Sequence, residues 1–120
     1  MTKSPQRVSV SRDGATADDA RITEELAEKV MGWRSAPDRF LTSGRSWIPK
    51  WRFMPLERVE DAFLLLDRAK GTCVLAIDSE GVITAEFRLG ERTGKANGEL
   101  KARTIALAIS RALGIVEVRS

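Results

Sequence analysis

The sequence contains no histidine and no tyrosine. Without histidine it lacks the commonest general base near neutral pH, and with it every Ser–His or Cys–His nucleophile pair. An enzyme built on this chain is left with carboxylate or lysine chemistry. A single cysteine, Cys73, rules out an intramolecular disulfide and leaves a cysteine-based zinc site without ligands. No metal or cofactor is expected. No apolar run approaches the roughly 18 residues of a membrane span. The stretch Met1 to Gly14 is polar and has no hydrophobic segment of signal-peptide type. The expected setting is the cytoplasm. Charge of one sign is scarce too: 20 basic residues stand among 17 acidic ones, for a net charge of +3 and a pI near 9.4. That balance permits an anionic partner without demanding one.

The 120 residues, 42% of them hydrophobic, suit one small domain with its own core. Residues 1–16 read as a flexible arm with a short extended piece at Arg7 to Ser11. Residues 17–116 read as a single α+β domain, and 117–120 as a tail. A first helix is expected over Thr16 to Met31, where Ile22, Leu26 and Val30 recur at helical spacing and Gly32 stops the chain. Pro55 suits the first turn of a second helix running to about Ala69. Leu56, Val59, Phe63 and Leu66 would form its core face, and Gly71 would end it.

Three strands follow. Thr72 to Ile77 is almost wholly apolar, Val82 to Leu89 alternates, and Arg92 to Ala96 is polar enough for a sheet edge. Asn97 or Gly98 then opens a last helix, Glu99 to Leu113. Its stripe of Ala102, Ile105, Ala106, Ile109, Ala112 and Leu113 would face the sheet. The expected class is α+β: a small antiparallel sheet of three to four strands packed with helices, in the order α-(β)-α-β-β-β-α.

Several motifs have bland explanations. Gly90 to Lys95 has too few residues between its glycines for a phosphate loop, and a hairpin turn accounts for it. The acidic pairs Asp18/Asp19, Glu24/Glu25 and Glu60/Asp61 read as solvated helix charge, because adjacent helical residues do not converge on one point. Cys73 alternates with Leu75 and Ile77 and reads as a buried, inert thiol.

The segment from position 33 to 58 carries more information. It holds Trp33, Phe40, Trp47, Trp51 and Phe53, interleaved with Arg34, Arg39, Arg45, Lys50, Arg52 and Arg58. Part of it, around Arg45 to Phe53, should be extended. Aromatic faces stack on bases, and guanidinium groups grip phosphates through paired hydrogen bonds. Core closure by the tryptophans is the competing explanation. A second basic group, Lys95, Lys101 and Arg103, lies where the last helix begins, a place that favours anions. The candidate ligand-binding residues are therefore Arg45, Trp47, Lys50, Trp51, Arg52, Lys101 and Arg103.

The run Glu25-Leu26-Ala27-Glu28-Lys29-Val30-Met31-Gly32-Trp33 resembles the start of the phage ABA-sandwich proteins. Ile48 to Arg68 is similar to their variable Pro/aromatic segment and second helix. Val82 to Gly114 is similar to their hairpin and Ala-rich closing helix, which ends in a Leu-Gly pair. The likeness spans roughly residues 20–116. It implies a small α/β/α-type domain of phages or prophages, with no catalytic residues to carry over. The strands and Gly98-Glu99-Leu100-Lys101-Ala102-Arg103 also resemble, in topology, the C-terminal half of double-stranded-RNA-binding domains. There a basic cluster bridges phosphates.

The expected role is that of a non-enzymatic phage or prophage accessory protein. It would bind an anionic small molecule, such as a nucleotide signal in the manner of an anti-defence sponge, or a host protein. The alternative is nucleic-acid binding. The polar edge strand Arg92 to Ala96 leaves room for homodimerisation by strand pairing.

Overall fold

A computed structural model describes residues 17–116; the arm and the tail expected from sequence lie outside the described residues. Helix α1 spans Ala17–Leu26 and continues as one wider π-type turn, Ala27–Met31. Ile22, Leu26, Ala27 and Met31 are its buried apolar positions. Gly32 stops it with φ 76°, and the N–H of Trp33 donates to Ala27 O at 3.0 Å. That left-handed backbone favours a residue without a Cβ.

The aromatic segment forms a sheet of its own. Strands β1 (Arg34–Ser35), β2 (Arg39–Ser43) and β3 (Ser46–Pro49) pair antiparallel in chain order, with an irregularity between Leu41 and Ser43. A single 3-10 turn, Lys50–Arg52, follows. The extended piece expected around Arg45 to Phe53 is thus one strand of three. Helix α2 is Val59–Ala69. It starts later than expected, because Pro55 to Glu57 forms a turn in which Glu57 and Arg58 donate their N–H groups to Met54 O at 3.0 and 2.8 Å.

The second sheet contains β4 (Thr72–Ile77), β5 (Ile83–Leu89) and β6 (Arg92–Gly98), in that order and antiparallel. Helix α3, Lys101–Ala112, lies across β5 and β6, and α2 packs on α3. Eight of its residues are buried, among them Ala102, Ile105, Ala106, Ala108 and Ile109, so it is the central element. Its buried hydroxyls are satisfied within the helix: Thr104 Oγ1 donates to Leu100 O and Ser110 Oγ to Ala106 O. Close approach to β6 depends on Gly94, where a Cβ would meet Ala108 O at 2.1 Å and Ala112 N at 2.4 Å. The α+β class is as expected, with two three-stranded sheets in place of one.

Four expectations are corrected. Lys70, not Gly71, takes the left-handed conformation that ends α2 (φ 61°). Gly71 is needed for a different reason: a Cβ there would sit 2.4 Å from Arg88 O and 2.5 Å from the Phe87 ring. The core face of α2 is rotated. Ala62 and Leu65 are buried, while Val59 and Phe63 are exposed, because α3 meets the helix on the neighbouring stripe. Asn97 and Gly98 belong to β6, so the last helix begins at Lys101 rather than earlier.

The fourth concerns Cys73, expected to be buried: its strand, β4, is an edge of the second sheet. Val74 and Ile77 are each 60% exposed, because the cover supplied by α3 ends at β5. Cys73 is only half buried.

Candidate functional site

The largest aromatics of the first half divide between core and surface. Trp33, Phe40 and Phe53 form a mutual cluster with ring centroids 5.0 to 6.0 Å apart, mostly edge-on. Phe40 and Phe53 are fully buried. Trp47 and Trp51 are 49% and 63% exposed. A small domain needs the first set to close its core; the second set is not used that way.

Between α1 and the 3-10 turn lies a cleft of about 400 Å³. Phe40, Phe53 and Leu56 give it an apolar floor, and Trp51 forms part of its wall. Asp19, Thr23 and Glu24 of α1 line the opposite side, with Lys50 and Glu57 completing the polar groups. The 3-10 turn after Pro49 turns Lys50 inward and leaves Trp51 at the rim. The Lys50 ammonium donates to Glu24 Oε2 at 2.8 Å and to Ser35 Oγ at 2.9 Å, and lies 4.8 Å from the Phe40 ring centroid. Arg103 Nη1 donates to Asp19 Oδ2 at 2.9 Å, tying α3 to the cleft wall.

The seven residues expected from sequence are distributed as follows. Lys50 and Trp51 line the cleft together. The guanidinium of Arg52 is 5.9 Å from the centre of the Trp51 ring, and Arg103 reaches the cleft through Asp19. Lys101 sits in an adjoining groove that shares Leu56 and Glu57 with the cleft. Trp47 and Arg45 are not among the lining residues. Trp47 is stacked under Arg39 at 4.3 Å, and Arg45 occupies the β2–β3 turn.

Sequence reasoning missed the acidic side. Asp19 was expected to be solvated and is 4% exposed, and Glu24 is engaged by Lys50. Asp61 also departs from the expected role, since its carboxylate accepts the Met54 N–H at 2.9 Å and braces the turn before α2. Asp19 and Glu24 lie five positions apart on α1, a spacing that carries no recognised signature. Only their distant partners mark them.

Chemically, the cleft combines an apolar floor, a flat aromatic wall, and cations each already held by a carboxylate. A planar ligand can slide against Trp51 and have its N–H donors accepted by carboxylates. Outside the cleft, the Arg39 guanidinium forms two hydrogen bonds with the Asp38 carboxylate, at 3.0 and 3.1 Å, and this holds Asp38 below the usual carboxylate range. Burial pushes the Cys73 thiol up. Among the described residues there is no group of His, Cys, Asp and Glu arranged to hold a metal ion. No helix there is long and apolar enough to cross a membrane.

Fold and cleft together define a two-sheet α+β module with a depression beside helix α1. The same fold occurs in a phage protein from Bacillus cereus ATCC 14579 whose crystal structure was solved at 2.0 Å. The TM-score is 0.71 at 13% sequence identity, with 88% of this chain and 95% of that chain covered. No protein-family model and no curated protein matches the sequence. The similarity to phage proteins therefore stands at the level of fold. Neither the ABA-sandwich likeness nor the RNA-binding one has a matching family model.

Proposed function

We propose that this chain is a non-enzymatic phage or prophage accessory protein whose cleft binds a nucleotide-class small molecule. One observation carries the reading. An exposed tryptophan and a lysine, adjacent in sequence, line an apolar cleft whose remaining polar groups are chiefly carboxylates. A base would stack on Trp51, with its amino and ring N–H groups donating to Glu24 or Glu57. Its phosphate would lie towards Lys50 and Arg52. The phosphate competes with Glu24 for the Lys50 ammonium, so binding exchanges one charged hydrogen bond for another. The fold shared with a phage protein supports the setting and leaves the ligand to chemistry.

Calorimetry with a panel of mono-, di- and cyclic nucleotides tests the proposal. Trp51→Ala should weaken binding by about tenfold or more, since base–aromatic stacking contributes roughly 1–3 kcal/mol. Its melting temperature should stay close to that of the parent, because this side chain is largely in solvent. If no nucleotide binds and Trp51→Ala alters stability alone, the proposal is wrong. Tight duplex binding that falls steeply with salt would instead favour nucleic acid.

A further inference from the structure

The two edges of the second sheet are treated differently. β6 presents Arg92, Thr93, Lys95 and Asn97 to solvent, the charged and polar edge that discourages pairing. β4 has no such protection. Between Lys70 and Asp78 there is no charge, no proline and no bulge, and its register with β5 is unbroken from Thr72 opposite Arg88 to Ile77 opposite Ile83. Val74, Leu75 and Ile77 are exposed, so both faces of the strand show apolar surface. The Asp78 N–H donates to Val82 O. Ladder alternation from that pair turns the N–H and C=O groups of Cys73, Leu75 and Ile77 to the open edge.

We propose that β4 is a self-association surface, on which two copies of this chain pair their β4 strands antiparallel about a two-fold axis at Val74. The second sheet of each copy, β4 to β6, then becomes half of one continuous sheet.

A second copy is the occupant because the strand is its own complement. A two-fold axis normal to a sheet keeps every side chain on its own face, so only residues of the same parity can oppose each other. With the axis at Val74, Cys73 of one copy meets Leu75 of the other, both with edge-directed backbone groups. Thr72 meets Ala76, and Gly71 meets Ile77, in each case a smaller residue beside a larger or equal one. Just outside the paired strands, Lys70, where α2 ends, falls on the side of Asp78 of the other copy, so opposite charges stand near each other at both ends of the pairing. Homodimerisation was expected from sequence at the polar strand β6; the unprotected strand is the other one.

Sedimentation equilibrium on the intact protein reads this directly, with a concentration-dependent dimer expected. Val74 faces itself across the axis, so Val74→Lys alone and Val74→Glu alone should each be monomeric. Mixed in equal amounts they should regain the dimer. Lys70→Asp should weaken association about tenfold. A parent protein monomeric at every concentration overturns the proposal, as does a Val74→Lys variant that stays dimeric. A mixture that fails to pair overturns the register. If the variants lose their circular dichroism signal, hydrogen exchange on the parent decides. The Cys73, Leu75 and Ile77 amides should gain protection as concentration rises, and unchanged exchange rules the interface out.

Discussion

Replacing Gly94 with alanine adds one methyl group where α3 lies directly on β6. Its Cβ would stand 2.1 Å from Ala108 O, where ordinary contact begins at 3.4 Å, so α3 must retreat by about 1.3 Å. The other obstacles, Ala112 N at 2.4 Å and Ala112 Cα at 3.1 Å, are also backbone, so no side-chain rotation relieves the clash. Retreat loosens the packing of Ile105, Ala108 and Ile109, all fully buried. Overpacking of a core costs about 1–3 kcal/mol when side chains can adjust, and here the cost should reach or exceed ~3 kcal/mol. For a domain whose total stability is on the order of 5–15 kcal/mol, that is a large share. At roughly 4–8 °C per kcal/mol, the melting temperature should fall by about 12 °C or more. Gly98→Ala is the matched control on the same strand. Its Cβ meets only the movable Thr104 hydroxyl at 3.3 Å, and its effect should stay within about 1 kcal/mol. Thermal unfolding followed by circular dichroism compares the two. A Gly94→Ala protein melting within about 3 °C of the parent would refute the account of how α3 seats on β6.

Two further outcomes follow from the side chains. Phe53→Ala removes a ring that is 1% exposed and packs on Trp33 and Phe40, and should cost about 3–5 kcal/mol in urea unfolding; a midpoint that hardly moves would mean the aromatic cluster is not core. Asp38 titrates below its ordinary value of 3.8 because of its two hydrogen bonds from Arg39. Whatever that pair contributes is present above pH 3.8 and is lost as pH falls through the lower folded value. The Asp38 carboxyl carbon, followed by NMR, should show its midpoint below 3.8, and Arg39→Ala should raise that midpoint.

Local structure was legible because it is periodic. The alternation of Ile83, Ala85 and Phe87 is the buried face of β5, and the alanine stripe of α3 is the buried face of that helix. Gly32 marked the end of the first helix for a reason internal to the chain, its left-handed backbone. The aromatic–basic interleaving marked the region in which Lys50 and Trp51 line the cleft.

Periodicity says which face of an element is apolar and is silent on what covers it. The apolar run of β4 reads the same whether a helix lies on it or solvent does, and only the position of α3 over β5 and β6 left it bare. Phe63 and Ala62 are adjacent in one helix, and the direction from which α3 approaches decided that the smaller is buried. Asp19 looked like any acid in a first helical turn; its burial against Arg103 joins residues 84 positions apart. The sequence by itself determined most of the elements and the buried faces of β5 and α3, since these depend on neighbours two to four positions away. Tertiary structure decided which faces meet, and so the cleft, its carboxylates and the open edge, because those contacts join segments distant in the chain.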